Sequence, residues 1–76
     1  MQAAEIKALL EASIDGAEAE VTIDGSHVNV VVVSSVFAGI SPVKKQQLVY
    51  AVLNEQIASG AIHAVHMKTL TPEERG

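Results

Sequence analysis

The chain has no cysteine and no tryptophan. It therefore forms no disulfide, offers no redox thiol and gives no thiolate to a metal. Aromatic residues are nearly missing too, since Phe37 and Tyr50 are the only ones. Any core must be aliphatic, and the strands carry no rings on which nucleic-acid bases would stack. Basic residues are few: 5 Lys and Arg stand against 9 Asp and Glu, a net charge of −4. That balance disfavours non-specific attachment to a phosphate backbone. No stretch approaches the roughly 20 apolar residues of a membrane span. The opening MQAAEIKALLEA has no basic n-region, so no signal peptide is expected, and a cytoplasmic location is. A length of 76 residues suits one domain, expected over 1–76. Such a short chain buries only about 60% of its unfolded surface.

What is present has clear periodicity. Ile6, Leu9 and Leu10 recur at helical spacing and predict an amphipathic helix over 2–13, stopped by Asp15-Gly16. Residues 18–24, EAEVTID, alternate as a half-buried strand does. Asp24-Gly25 signals a hairpin, with a loop over 24–26 and a second strand over 27–34. On that strand Val28, Val30 and Val32 share one face; Asn29, Val31 and Val33 share the other. Apolar residues on both faces suit a central strand, or an outer face where Val31 and Val33 meet a second copy in a homodimer.

Residues 34–41 read as a short helix or irregular bridge. Ser41-Pro42 is a helix start, with Ser as N-cap and Pro in the first turn. The long helix, 42–59, carries Val49, Val52, Leu53 and Ile57 on its inner stripe and ends at Gly60. Residues 62–69 read as a third strand and 71–74 as a polar tail. The order is α-β-β-α-α-β: a three-stranded sheet with helices on one face, an α+β two-layer sandwich. A helical crossover leads to the last strand, so it can run parallel to a neighbour.

Three histidines are the candidate donors. His63, Val65 and Met67 share one face of the third strand; Ala64, His66 and Lys68 share the other. Val65 and Met67 look core-directed, so His66 is expected at solvent beside Lys68 as an ordinary polar residue. His63 opens the third strand and His27 the second. The two meet only if those strands are neighbours; otherwise each is a strand-end histidine bonded to backbone. No HExxH-type spacing singles them out. Catalysis fares worse. Ser26, His27 and Asp24 lie close in sequence, but adjacent strand residues point apart, and a triad needs a relay. No glycine-rich phosphate loop occurs. A binding protein, not an enzyme, is expected. Lys44 and Lys45 stand at the start of the long helix, where positive charge opposes the helix dipole at a cost of up to about 1 kcal/mol. With Gln46 and Gln47 they offer an alternative reading, contact with nucleic-acid phosphates at a helix N-terminus, or else a solvated basic turn.

Three segments together are more specific than any single histidine. DGSHVNVVVVS, VFAGISPVKKQQLVYAVL and IHAVHMKTLTPEE resemble the BolA-like family, most closely its small IbaG-type branch. The resemblance covers nearly the whole chain. It implies the α-β-β-α-α-β fold, similar to type II K-homology domains. It implies a non-enzymatic partner of monothiol glutaredoxins, sharing a bridging [2Fe-2S] cluster in iron–sulfur assembly or trafficking, or in iron and stress response. Some members are described as DNA-binding transcription regulators, the role for which Lys44 and Lys45 are the candidates. The hallmark histidine of the family falls on His63, within IHAV, and the second ligand position on His27, within DGSH. His66 has no counterpart in that ligand set. Pro42 departs from the pattern, and the G-x-x-G clamp of true K-homology domains is absent, since Gly39-Ile40-Ser41-Pro42 has only the first glycine.

The physical logic is narrow. Without cysteine the chain holds no cluster tightly by itself; it can add neutral imidazoles to iron whose thiolates come from a partner. Two histidines on one iron of a [2Fe-2S] centre raise its potential relative to all-thiolate ligation. An imidazole must be deprotonated to ligate. Binding of a cluster-bearing glutaredoxin is therefore expected to weaken as pH falls through the usual imidazole range, about 6.5. Cluster absorbance and circular dichroism, titrated from neutral to mildly acid pH, check this; a flat profile before either protein unfolds overturns it.

Overall fold

In the computed structural model, which describes residues 2–25, 27–62 and 64–75, the first apolar repeat forms helix α1, Ala3–Ser13. Ile6 and Leu10, one turn apart, are both fully buried. Strand β1, Glu18–Asp24, and strand β2, His27–Val33, pair antiparallel, with Val21 opposite Val30 and Asp24 opposite His27. Gly25 adopts φ 62° in the connection, a conformation that costs glycine nothing. A three-residue 3-10 turn, Ser35–Phe37, stands where a short helix or irregular bridge was expected. Helix α2, Pro42–Ala58, follows, and the Ser41 hydroxyl accepts the Lys44 N–H at 3.3 Å. Strand β3, Ala64–Leu70, pairs parallel with β2, and the sheet order is β1-β2-β3.

Two departures from expectation have identifiable reasons. Strand β3 begins at Ala64, because the Ile62 N–H still reaches back to the Gln56 carbonyl of α2 at 3.2 Å. The polar tail folds into helix α3, Pro72–Arg75. Thr71 donates its N–H to Glu74 Oε1 at 2.9 Å, and Glu74 returns its N–H to Thr71 Oγ1 at 3.3 Å. The signal was in the sequence: T-P-E-E is a capping box with proline in the first turn.

Both long helices cover the same side of the sheet. Val28, Val30 and Val32 of β2 and Ala19 of β1 form a core with Ile6, Leu10, Phe37, Val49, Leu53 and Ile62. Val21, Val65 and Met67 pack against its margins. No helix among the described residues is long and apolar enough to cross a membrane.

One buried hydroxyl ties this arrangement together. Ser34 is only 1% exposed. Its Oγ donates to the Asp15 carbonyl at 2.7 Å and accepts the Val36 N–H at 3.2 Å, while its own N–H donates to the Leu70 carbonyl at 3.0 Å. It joins the α1–β1 connection, the 3-10 turn and the end of β3. Ser34→Ala strips a part-buried carbonyl and amide of this partner, which costs about 1–3 kcal/mol. The expected result is a thermal midpoint lower by at least about 4 °C. Thermal unfolding followed by circular dichroism reads it; an unchanged midpoint refutes the role.

Candidate functional site

The other face of the sheet carries neither α1 nor α2, and strand pairing arranges its side chains in rows. From β1 through β2 to β3 these are Asp24–His27–Ala64, Thr22–Asn29–His66, Glu20–Val31–Lys68 and Glu18–Val33–Leu70. His27 and His66 therefore lie on one diagonal, in neighbouring rows of adjacent strands. Their ring centroids are 5.7 Å apart, and the ring planes meet at 16°. Both side chains are exposed.

This pair is the feature that sequence reasoning missed. Alternation along β3 places His66 at solvent beside Lys68, and there it is. Alternation cannot say which β2 residue stands next to it, because that depends on the parallel register. The first expected ligand, His27, is accessible at the mouth of β2. The second, His63, lies outside the described residues; its chain neighbour Ala64 is the Cα partner of His27. Among the described residues no group of three or more His, Asp or Glu side chains is placed to hold a metal ion.

The two ends of the open face differ. At the far end, Arg75 of α3 pairs with Glu18 and reaches Glu20 at 4.0 Å. Arg75, Pro72 and Gly16 surround Val33, which is buried at 6% exposure. The apolar patch expected from Val31 and Val33 is thus reduced: Val33 is covered and Val31 is half-buried. The reason is the capped C-terminal helix, which brings an arginine 57 residues away in sequence back across β1.

Lys44 and Lys45 stand far from the histidines. Helix α2 starts beyond the C-terminal end of β2 and returns the chain to the start of β3, a run of about 25 Å at 1.5 Å per residue. Lys44 is exposed, while Lys45 is partly buried. The Glu74 carboxyl is held below the usual glutamate range, chiefly by the Thr71 N–H and hydroxyl, with the Lys45 charge adding to the effect. The Lys45 charge thus lies near the α3 end of the fold. A comparable arrangement closes the β1 edge. Glu11 Oε2 accepts from Lys7 Nζ at 2.7 Å and from the Ala19 N–H at 3.1 Å, and these two bonds lower its pKa in that order. The carboxylate satisfies an edge amide that would otherwise be open to strand pairing.

Comparison with known proteins decides the family. A family model described as BolA-like protein matches residues 5–74. The chain belongs to the BolA-like family. This BolA-like chain is 46% identical to acid stress protein IbaG of Escherichia coli K12 over 74 residues, 97% of this chain and 88% of that relative. The IbaG-type branch is the one its motifs resemble. Its fold superposes on a bolA protein homologue from Coxiella burnetii with a TM-score of 0.86 at 30% identity, covering 99% of this chain and 96% of the other. The BolA domain of SufE1 from Arabidopsis thaliana gives a TM-score of 0.81 at 34% identity, covering 95% and 93% respectively.

Proposed function

We propose that this BolA-like chain is a non-catalytic binding partner in the cytoplasm. It lends imidazole nitrogens to a [2Fe-2S] cluster shared with a monothiol glutaredoxin. Family membership over residues 5–74 together with an accessible His27 at the mouth of β2 supports this reading. The donor chemistry fits a shared cluster and not a resident one. There is no cysteine, and the described residues hold no cluster of three metal donors, so thiolates must come from another chain. His63 and His27 are the residues that would donate. When bound, the cluster supplies one-electron chemistry and an iron–sulfur unit that can be passed on.

The rest of the chain serves to present these nitrogens. The parallel β2–β3 pairing sets Ala64, the residue after His63, opposite His27. The buried valines beneath it hold that end of the sheet rigid against the helices. The rings need only stay neutral and face the partner's iron. A relative named acid stress protein is in keeping with work in stress response. Co-expression with a monothiol glutaredoxin, followed by iron and acid-labile sulfide analysis of the purified complex, tests the proposal. Equal iron and sulfide in a stable complex is the expected result; a complex free of both, or no complex, refutes it.

A further inference from the structure

We propose that His27 and His66 form a second, independent metal site: a two-histidine chelate on the open sheet face that binds a late divalent transition ion, Cu(II) or Zn(II), in the chain alone. The rings belong to different strands, at positions 39 residues apart in sequence by number, and the parallel register brings them onto one diagonal. Across the β2–β3 pairing the direct partner of each is small or uncharged: Ala64 beside His27 and Asn29 beside His66.

The spacing suits one ion. With metal–nitrogen distances of about 2.0–2.1 Å, two imidazoles on a common ion keep their centroids within roughly 6.5 Å. The observed separation is 5.7 Å, so no strand has to move. The rings are stacked, however, at 16°, and each must turn about χ2 to aim a nitrogen at a common point. That torsion is soft for histidine, and both side chains are exposed. Imidazole is the ligand type that zinc and copper favour, and Cu(II) binds most tightly along the divalent series. The remaining coordination positions are left to water, as expected where the described residues bring no third donor. Asp24, the Cα partner of His27 on the same face, sets a negative charge beside the site. Lys68 lies one row beyond His66.

His27 is common to this site and to the proposed cluster site; His66 belongs to this one alone. That asymmetry makes the two separable. Cu(II) is titrated into the chain without glutaredoxin and followed by electron paramagnetic resonance and by the thermal midpoint. The wild type should bind one ion, show nitrogen hyperfine structure from two imidazoles, and rise in midpoint with Cu(II). His27→Ala and His66→Ala should each weaken binding at least about tenfold, since loss of even a supporting group costs about 10–100-fold. His63→Ala should bind as the wild type does. His66 is exposed, so circular dichroism should report an unchanged fold; His66→Gln, which keeps a polar side chain, gives the same loss if the metal needs the imidazole. Undiminished binding by His66→Ala or His66→Gln, or loss on His63→Ala, overturns the site. Because no partner is present, that failure would leave the shared-cluster reading standing.

Discussion

Phe37→Ala should lower the unfolding free energy by about 3–5 kcal/mol. At about 0.05–0.15 kcal/mol per residue, a chain of this length has only about 4–11 kcal/mol in all. Phe37 is the sole phenylalanine, is fully buried and is the largest of the completely enclosed side chains. It ends the 3-10 turn between β2 and α2, where the Phe37 N–H donates to the Ser34 carbonyl at 3.2 Å. Its backbone is thereby anchored, so the surrounding aliphatic groups cannot simply draw it inward to close the cavity. The residue before it provides the control. Val36 is 37% exposed, and trimming a surface side chain usually changes stability by no more than about 0.5 kcal/mol. Urea unfolding followed by circular dichroism compares the two variants. A large fall in the Phe37→Ala midpoint beside a small one for Val36→Ala is expected. Equal, small effects would mean that the core repacks around the missing ring.

His63→Ala should abolish formation of the shared cluster with a monothiol glutaredoxin, the largest functional effect of any single change. The resemblance places the family's hallmark histidine there, and no cysteine is available to replace it. His27→Ala should leave a cluster with altered visible circular dichroism and a shorter lifetime, because one iron ligand is exchanged for water or a partner group. His66→Ala should keep the cluster. The measurement is cluster absorbance and circular dichroism after reconstitution of each complex. With the Cu(II) titration it forms a crossed pattern. His63 matters only for the cluster, His66 only for the divalent ion, and His27 for both. If His66→Ala alone destroyed the cluster, the assignment of His63 and His27 as the ligand pair would fall.

Much of this molecule was legible before any coordinates. Ile6, Leu10, Val49 and Leu53 sit at helical spacing and are buried as that spacing demands. The β2 valines divide by parity into a core row and an open row because successive strand side chains point to opposite faces. The Ser41-Pro42 start was recognisable because a cap is a local bond between near neighbours. The same holds for Thr71 and Glu74, whose capping box was present but read as a tail. Local hydrogen bonds need only a few residues, and so a few residues announce them.

The sequence by itself determined the aliphatic core, the helix and strand periods, the lack of thiolate donors and the motifs that carry family membership. Only the tertiary structure decided which exposed side chains are neighbours. Arg75 lies over β1 because α3 folds back onto the sheet, and His66 stacks on His27 because β3 aligns Ala64 with His27 in parallel register. The reason is geometric. Alternation assigns a residue to a face with a period of two, whereas the register between strands joined by a 17-residue helix is set by how that helix packs on the core. A shift of two residues would keep every valine on its own face and still separate the two imidazoles.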